Sequence, residues 1–353
     1  MADWQRDPEG PSCPLPKSDY QEVVLAHGGG GRLSRQLLEQ WILPCLHNPV
    51  LQSLGDSAVF PLEGHRVAFT TDSYTVTPLF FPGGDIGELA VYGTINDLAV
   101  AGAEPKALSL ALILEEGLPL ETLHRILESI RHATQRVGVP VVTGDTKVVE
   151  RGKGDGVYIN TAGVGLVPAG RDLGAHRIQP GDHILINGAI GQHGLAILAA
   201  RQQLFPEMDL RSDTAPLWPL IQQLYAAGIV PHAMRDPTRG GVASALNELA
   251  EQAGVGMELW EPELPIPPEV EGAAELLGLD PLYIANEGKV LIFVPEHQAQ
   301  KALEVLQSHP LGRDARDIGR VTADHPGTVV LHTRIGGRRV VDLLSGEQLP
   351  RIC

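Results

Sequence analysis

Short β-rich segments alternate with longer helical segments through the first half of this chain of 353 residues. Residues 67–70, 139–143 and 157–159 are bounded by glycine, proline or aspartate and predict strands. Between them, 86–101 and 121–136 predict helices, the second with leucine and isoleucine repeated on one face. This alternation predicts an α/β layer structure. Further predicted elements are helices at 34–43 (ending at Pro44), 195–201 and 241–252, and strands at 183–186 and 289–294.

Two changes in composition divide the chain. Residues 1–20 contain four prolines and few large apolar side chains, which is typical of a disordered extension. Residues 167–182 are rich in glycine and proline and show little apolar periodicity, so we predict a domain boundary there. The predicted organisation is an extension (1–20), an N-terminal domain (21–166), a linker (167–182), a C-terminal domain (183–344) and a flexible tail (345–353).

The glycine-rich loops leave two interpretations open. Gly28 to Gly31 could cradle a phosphate, but no strand precedes them and no Walker lysine follows, so a hinge is the favoured interpretation. Gly188, Gly191 and Gly194 fit an anion-binding helix start or close packing of a strand on a helix equally well.

The formal net charge of −16 limits the possible partners. Nucleic acid and anionic membranes require a basic stripe, which this sequence lacks, and no apolar run is long enough to span a bilayer. Any phosphate ligand is therefore expected to bring a metal ion. The N-terminus does not resemble a secretory signal, and the three cysteines form neither a metal knuckle nor a disulfide framework. These features favour a reducing compartment, and we predict a cytoplasmic protein.

Four aspartates stand out in the first domain. Asp56, Asp72 and Asp145 each end an apolar run beside glycine or threonine, and Asp97 lies in a strongly apolar segment. Each of them alone is more typical of a turn or a helix cap. If the strand ends converge, however, the like charges need a cation among them, and Mg²⁺ prefers such hard oxygen ligands.

The last residue, Cys353, predicts a carrier function. The tail before it contains Gly346 and Pro350 and no helical pattern, so it could extend roughly 30 Å. A terminal thiol on such a tail can enter a catalytic pocket and also reach a partner protein. A frayed end with an incidental thiol is the alternative. Cys13 and Cys45 have no evident partner in the sequence.

Six short motifs are spread along the chain. They are Gly-Asp-Ser-Ala-Val-Phe at 55–60, Thr-Asp-Ser at 71–73, Asn-Asp at 96–97, Thr-Gly-Asp-Thr-Lys at 143–147, Asp-Pro-Thr-Arg-Gly-Gly at 236–241 and Asn-Glu-Gly at 286–288. Together they resemble the aminoimidazole-ribonucleotide-synthetase-like ATP-binding superfamily, and the resemblance covers residues 25–353. The ending Pro350-Arg351-Ile352-Cys353 is similar to the carbamoyl dehydratase branch, which serves [NiFe]-hydrogenase maturation.

The resemblance implies two α/β (α+β) domains and a homodimer in which the N-terminal sheets form a barrel around the nucleotide sites. The C-terminal domain would be an α/β sandwich. A partner carbamoyltransferase would load a carbamoyl group onto Cys353, and ATP would drive dehydration of this thiocarboxamide to a thiocyanate. The nitrile would then pass to iron on a separate scaffold protein. One departure is Gln192-His193, where the family pattern has an aspartate before the histidine, and it weakens a catalytic role for this loop.

Site roles follow from the resemblance. Asp72, Asp97 and Asp145 are the expected magnesium ligands, and Asp56 is a possible fourth. The same four aspartates are expected at the nucleotide, together with Asn96, Gly144 and Thr146.

Three further residues are assigned to the chemical step. Lys147 would stabilise the phosphoryl group, although a lone lysine is more often a surface charge. Glu287 would take a proton from the thiocarboxamide nitrogen, with a turn carboxylate as the alternative. Arg239 would bind phosphate or the tail, at a helix start where Thr238 also serves as a cap.

Two other functions stay open. One is a small-molecule kinase or synthetase of the same superfamily, acting for example on thiamine monophosphate or selenide. The other is a nucleotide-gated module that only presents Cys353 to a partner. Nucleotide hydrolysis separates the module from the enzymes, and dependence of hydrolysis on tail carbamoylation identifies the dehydratase.

Overall fold

The computed structural model describes residues 22–46, 48–345, 349 and 351–353. The predicted disordered extension at 1–20, which includes Cys13, lies outside these residues. Within the described residues, no helix has the length and apolar character needed to cross a membrane.

The first domain contains a five-stranded sheet with the strand order β1-β2-β7-β5-β6. Its strands are β1 (Ala58–Leu62), β2 (His65–Tyr74), β5 (Glu104–Glu115), β6 (Val141–Val149) and β7 (Val157–Val167). The pairing of β5 with β6 is parallel, and the other pairs are antiparallel. A separate two-stranded hairpin, β3 (Phe80–Phe81) and β4 (Gly84–Asp85), leads into the first long helix.

Helices α3 (Ile86–Val100) and α4 (Leu120–Val137) cover one face of this sheet. Almost all of α3 is buried, which explains why its sequence is apolar on every side. The opposite face of the sheet carries the exposed side chains of Phe69, Ile113 and Val164. The sheet is thus packed on one side and open on the other in the part of the chain that the structure describes.

The second domain contains a seven-stranded sheet with the order β14-β13-β10-β12-β8-β11-β9. Its strands are β8 (His183–Ile186), β9 (Ala233–Arg235), β10 (Gly256–Trp260), β11 (Leu291–Val294), β12 (Arg316–Thr322), β13 (Val329–His332) and β14 (Arg338–Val341). The helices are α5 (Gln192–Gln202), α6 (Trp218–Ala226), α7 (Gly241–Ala253), α8 (Pro268–Leu277) and α9 (Glu296–Gln307).

Helices lie on both faces of this second sheet. Ile184 and Phe293 belong to one apolar cluster with residues of α7, whereas Leu185 and Ile292 belong to a second cluster with residues of α6 and α9. The second cluster also contains residues of α3. The two domains therefore share one continuous core, which fixes the relative position of their strand ends. A two-domain α/β fold, predicted from the sequence, is confirmed.

Most predicted elements exist, but some of their limits were wrong. The helix predicted to end at Pro44 instead continues to the end of α2 (Leu43–Leu46), after α1 (Arg32–Leu37) and a π-helical turn at 38–42. Pro44 lies within this continuous helical run, in the short helix directly after the π-helical turn. The predicted strands at 67–70 and 157–159 are parts of much longer strands.

Candidate functional site

A cavity of about 200 Å³ lies between the two domains. Its walls combine carboxylates of both domains with the end of the tail. The lining includes Asp56, Asp72, Asp97, Asp236, Arg239, Glu287 and Cys353.

Three of these carboxylates form a compact cluster. One oxygen each of Asp56, Asp97 and Asp236 lies within 4.8 Å of the others. Asp56 precedes β1, Asp97 is in the last turn of α3, and Asp236 directly follows β9. The Thr70 hydroxyl donates a hydrogen bond to Asp97 Oδ2 at 2.7 Å. Three separate elements therefore supply one oxygen-rich site.

The electrostatics of this cluster favour a bound cation. Burial raises the pKa of Asp56 to about 6, and the guanidinium of Arg235 opposes this shift. Burial and neighbouring carboxylates also raise the pKa values of Asp97 and Asp236 well above their usual range. A divalent cation would reverse these shifts, because it stabilises the ionised carboxylates. Oxygen ligands of Mg²⁺ lie about 3 to 4 Å from one another, which the cluster can provide by small side-chain adjustments.

The sequence analysis did not predict two residues of this site, one as a metal ligand and the other as an ion-pair partner of a ligand. Asp236 completes the carboxylate cluster, and Arg235 forms ion pairs with Asp56 at 2.9 Å and with Glu248 at 2.7 Å. Asp236 begins the Asp-Pro-Thr-Arg-Gly-Gly motif at 236–241, but no local pattern indicates that this second-domain carboxylate reaches the first domain. Only the shared core of the two domains brings them together.

Asp72 lines the cavity from β2 without belonging to the compact cluster. The Tyr74 hydroxyl donates a hydrogen bond to Asp72 Oδ2 at 3.2 Å. Asp72 therefore remains a predicted ligand, placed beside the other three carboxylates.

The tail is docked inside this cavity, a point that the sequence left open. The backbone N–H and hydroxyl of Thr75 donate hydrogen bonds to the main-chain oxygen of Cys353, at 3.0 and 3.1 Å. Arg201 donates to the main-chain oxygen of Arg351 at 2.6 Å, and Ile352 packs into the shared core. Burial raises the pKa of the Cys353 thiol to about 12, against the opposing effect of Arg239. In the docked state this thiol is thus protonated and a poor nucleophile.

The predicted base lies beside the tail. Glu287 is buried between the 3₁₀ turn Pro281–Tyr283 and β11, and it lines the same cavity as Cys353. Burial raises the pKa of Glu287 well above its usual range; Asp236 adds to the shift and Arg239 reduces it. A raised pKa makes the ionised carboxylate a stronger base, and a cation at the neighbouring carboxylate cluster would favour that ionised form of Glu287.

Arg239 connects the cavity to the first glycine loop. Its Nη1 donates to the main-chain oxygen of Gly28 at 3.1 Å. Gly30 has a φ of +73°, and a Cβ there would lie 2.8 Å from Arg239. This loop and Arg239 line a second cavity of about 300 Å³, which Arg235 and Asp236 also border. The glycines allow this close approach, and the second cavity places two guanidinium groups next to the carboxylate cluster.

The second glycine loop packs closely rather than presenting an open helix start. A Cβ at Gly194 would lie 2.7 Å from Ile284 and 2.8 Å from Leu349 of the tail. His193, to which the sequence analysis assigns no role, is fully buried, and its Nε2 lies 2.7 Å from the main-chain oxygen of Ile352. The packing alternative therefore describes this loop.

The predicted residues of β6 do not reach the cavity within one chain. Asp72 is in register with Thr161 of β7, then with Leu110 of β5 and Gly144 of β6. Three strand spacings separate Asp72 from Gly144, which is about 14 Å. Gly144, Asp145, Thr146 and Lys147 are absent from the cavity lining.

Strand alternation also separates Asp145 from the other aspartates. Because Gly144 shares the face of Asp72, Asp145 and Lys147 point to the opposite, open face, where they form an ion pair at 2.7 Å. The expectation that Asp145 converges with Asp56, Asp72 and Asp97 is not met in a single chain.

Asn96 does not line the cavity either. Its Nδ2 donates to the main-chain oxygens of Ala215 and Glu287, at 3.0 and 3.2 Å, and its Oδ1 accepts from the backbone of Leu217 at 2.8 Å. Both ends of this buried amide are therefore committed to holding the second domain. A contact between Asn96 and the nucleotide stays a prediction.

The chain matches two family models over most of its length. They are the N-terminal domain of AIR synthase related protein, matched by residues 54–167, and its C-terminal domain, matched by residues 179–332. Carbamoyl dehydratase HypE of Azotobacter vinelandii is 53% identical over 331 residues, which is 94% of this chain and 97% of that protein.

Two solved structures are similar over nearly the same region. The crystal structure of a HypE–HypF complex contains a chain that superposes with a TM-score of 0.82 at 44% identity, covering 87% of this chain and 99% of that one. The structure of the hydrogenase maturation protein HypE in complex with ATP gives a TM-score of 0.79 at 45% identity, covering 94% and 100%.

Proposed function

The chain belongs to the carbamoyl dehydratase HypE family of the AIR synthase related proteins, and we propose that it dehydrates a carbamoyl group carried on its own Cys353. The reaction uses ATP and yields a thiocyanate, the source of the cyanide ligand for the iron of [NiFe]-hydrogenase. One observation carries the proposal. The docked tail places Cys353 in the same cavity as Glu287, Arg239 and the carboxylate cluster.

The chemistry balances in two steps. The carbamoyl oxygen of the thiocarboxamide takes the terminal phosphoryl group of ATP, releasing ADP, so that phosphate replaces a poor leaving group. The nitrogen gives up one proton to solvent as the phosphorylated intermediate forms. The C–O bond then breaks, phosphate departs with the electron pair, and Glu287 takes the second nitrogen proton as the nitrile forms. Arg239 is placed to stabilise the charge on the transferred phosphoryl group, and Glu287 to accept a proton from nitrogen.

The carboxylate cluster fits the magnesium ion that ATP requires. Asp56, Asp97 and Asp236 would hold Mg²⁺ with Asp72 nearby, and the ion would neutralise phosphate charge in an otherwise acidic cavity. The adjoining cavity beside Arg235 and Arg239 offers space and positive charge for the phosphates. The HypE structure with bound ATP supports nucleotide binding by this fold.

The open face of the first sheet supports the proposal of a homodimer. Phe69 and Ile113 are each 42% exposed there, and Val164 is 39% exposed, an unusual amount of apolar surface for a sheet interior. A second copy packed on this face would close the two sheets into a barrel. Asp145 and Lys147 lie on this same face, so their predicted nucleotide contacts are proposed to form at the dimer interface. The nucleotide contacts of Gly144 and Thr146 stay predictions.

Loading and delivery require other proteins. We propose a HypF-type carbamoyltransferase as the donor, since a relative has been crystallised with HypF, and a HypC/HypD-type scaffold as the acceptor of the nitrile. Both exchanges need the tail to leave the cavity, because Cys353 is partly buried when docked. The cytoplasm remains the proposed compartment, where the thiol stays reduced.

Intact-protein mass spectrometry tests this function. The chain is incubated with the carbamoyltransferase, carbamoyl phosphate and ATP, and then with Mg-ATP alone. The expected result is a gain of one carbamoyl group at Cys353 followed by an ATP-dependent loss of one water, with neither change in Cys353→Ala. A carbamoyl group on Cys45 or Cys13 would refute the carrier assignment. Hydrolysis of ATP independent of tail carbamoylation would instead support a small-molecule kinase, and absence of hydrolysis a nucleotide-gated carrier.

A further inference from the structure

A short segment between α5 and α6, Ser212–Thr214, contacts both His193, which holds the tail, and the loop that carries Glu287. On the tail side, the Ser212 hydroxyl lies 2.8 Å from Nδ1 of His193, and Nε2 of His193 lies 2.7 Å from the main-chain oxygen of Ile352. A carbonyl oxygen only accepts hydrogen bonds, so Nε2 carries the proton and Nδ1 accepts from Ser212. Ser212 therefore fixes the tautomer that holds the tail one residue before Cys353.

The surroundings of His193 keep this ring neutral and oriented. Burial lowers the pKa of His193, and its ring meets that of Phe81 edge to face with centroids 5.8 Å apart. The Ser212 oxygen in turn accepts from the backbone N–H of Thr214 at 3.1 Å. The chain of contacts from Thr214 to Ile352 is thus continuous, and its part around His193 is buried.

On the other side, Asp213 holds the main chain of the predicted base. Its Oδ1 accepts from the backbone N–H of Glu287 at 3.1 Å. Its Oδ2 lies 3.0 Å from Nζ of Lys289 and 3.4 Å from the backbone N of Gly288. The Asp213 side chain is only 2% exposed and does not line the cavity, so it acts on the site through Glu287 rather than by contact with substrate.

The backbones are also tightly apposed at this point. A Cβ on Gly288 would lie 2.0 Å from the main-chain oxygen of Asp213. No side chain fits between the two segments, and a small movement of Ser212–Thr214 must move the loop that carries Glu287. A buried ion pair such as Asp213–Lys289 adds little net stability, which makes positioning the better explanation for its presence.

We infer that Ser212–Thr214 is a shared positioning segment: through Ser212 and His193 it holds the Ile352 carbonyl, and through Asp213 it holds the main chain of Glu287. The carrier and the base thereby rest on one support, which fixes their separation. This inference rests on the proposed dehydratase function. Reacting groups misplaced by about 1 Å lose about 100-fold in rate, so such a support has a measurable effect.

The first part of the inference, that Ser212 and His193 hold the tail, is tested without any enzymatic step. In full-length protein with Cys13 and Cys45 changed to serine, alkylation of Cys353 by iodoacetamide is followed by intact mass. His193→Phe keeps the ring beside Phe81 but loses the donor, and we expect alkylation about fivefold faster. His297→Phe, on the exposed surface of α9, is the matched control with unchanged alkylation.

The second part of the inference, that Asp213 holds the main chain of Glu287, is tested with two double variants that lose the same two charges. Asp213→Asn with Lys289→Met keeps an oxygen that accepts from Glu287 N–H, whereas Asp213→Ala with Lys289→Met removes it. In single turnover of carbamoylated protein with Mg-ATP, we expect the alanine variant to form thiocyanate about 10- to 100-fold more slowly than the asparagine variant. Alkylation of Cys353 before carbamoylation and Mg-ATP affinity stay equal in the two variants.

Either part of the inference can fail. Unchanged alkylation in His193→Phe, or equal thiocyanate rates in the two double variants, would overturn the inference. A rate loss that merely follows a lowered melting temperature would also overturn it, because a structural residue alone gives that result. If the parent protein forms no thiocyanate at all, the proposed function fails, while the alkylation result still decides whether the segment supports the tail.

Discussion

The guanidinium of Arg351 lies 2.7 Å from the carboxylate of Asp155, so an ion pair joins the tail to the loop between β6 and β7. The same guanidinium donates to the main-chain oxygen of Thr75 at 3.0 Å. These contacts lie two residues before Cys353. The tail is thus held at its side chain by the first domain and at its carbonyl groups by both domains.

Breaking this ion pair should loosen the tail without affecting the chemistry. Asp155→Asn should make alkylation of Cys353 about two- to fivefold faster, because a partly exposed ion pair contributes about 0.2 to 1 kcal/mol. The measurement is the alkylation rate in the background without Cys13 and Cys45, with Asp209→Asn as an exposed control. High salt should reduce the difference between Asp155→Asn and its parent. If the faster alkylation did not depend on salt, its cause would be the changed hydrogen bond from Tyr158 to Asp155 and not the ion pair.

The carboxylate cluster should dominate the affinity for Mg-ATP. Replacing Asp97 or Asp236 by asparagine should weaken Mg-ATP binding at least about 10-fold. Mutation of residues that only hydrogen-bond to metal ligands already lowers metal affinity by about this factor, and a ligand should matter at least as much. Carbamoylation of Cys353 by the partner enzyme should persist in both variants. Calorimetric titration measures the affinity, with Asp209→Asn as control. Unchanged affinity in both variants would exclude this cluster as the metal site.

The same cluster predicts how stability depends on pH. Burial raises the pKa of Asp56 to about 6 in the folded state, above its value near 4 in the unfolded chain. Between these values the folded state binds more protons, so the free energy of unfolding falls as pH rises from about 4 to about 6, by at most about 3 kcal/mol for this group. Without magnesium, the protein should be less stable at about pH 7.5 than at about pH 5.5.

Magnesium should reverse this trend, because it binds the ionised carboxylates and stabilises the folded protein more at the higher pH. Thermal unfolding with EDTA and with Mg²⁺ at both pH values measures this dependence. Asp56→Asn removes one titrating group, and its pH slope without metal should be shallower than that of the parent. An identical slope would show that other groups cause the pH dependence.

Local sequence patterns predicted the α/β class and most helices, but they missed the interior strand β5. Leu108, Leu110, Leu112 and Leu114 alternate along β5 with small or apolar residues. Leucine and alanine are good helix formers, so the segment has no clear strand signal, and only its pairing with β6 and β7 makes it a strand.

Only part of the site was predicted, because local patterns identify single residues and not their convergence in the fold. Asp56, Asp72 and Asp97 were identified because each ends or interrupts an apolar segment, and all three line the cavity. Asp145 has the same local pattern, yet it lies within an edge strand and points to the opposite face. Asp236 has no such pattern and reaches the cluster only because the two domains share a core. Convergence depends on register and domain packing, which single-segment patterns do not contain.

Glu287 should be required for the last chemical step and not for the earlier ones. Glu287→Gln keeps the shape of the side chain but cannot take up the nitrogen proton as phosphate leaves. The variant should bind Mg-ATP, accept the carbamoyl group on Cys353 and release ADP in single turnover, yet form thiocyanate at least about 100-fold more slowly. Glu116, which is exposed in the turn after β5, provides the control: Glu116→Gln should release ADP and form thiocyanate at normal rates.

Lys147→Ala separates the two halves of the reaction. If Lys147 stabilises phosphoryl transfer, its variant should form neither ADP nor thiocyanate, in contrast to Glu287→Gln. Quenched-flow measurement of ADP and mass analysis of the tail distinguish the two patterns. Normal thiocyanate formation in Glu287→Gln would transfer the role of base to another group, such as bound water. The expected ADP release without thiocyanate in Glu287→Gln would assign this buried carboxylate to proton removal and not to phosphorylation.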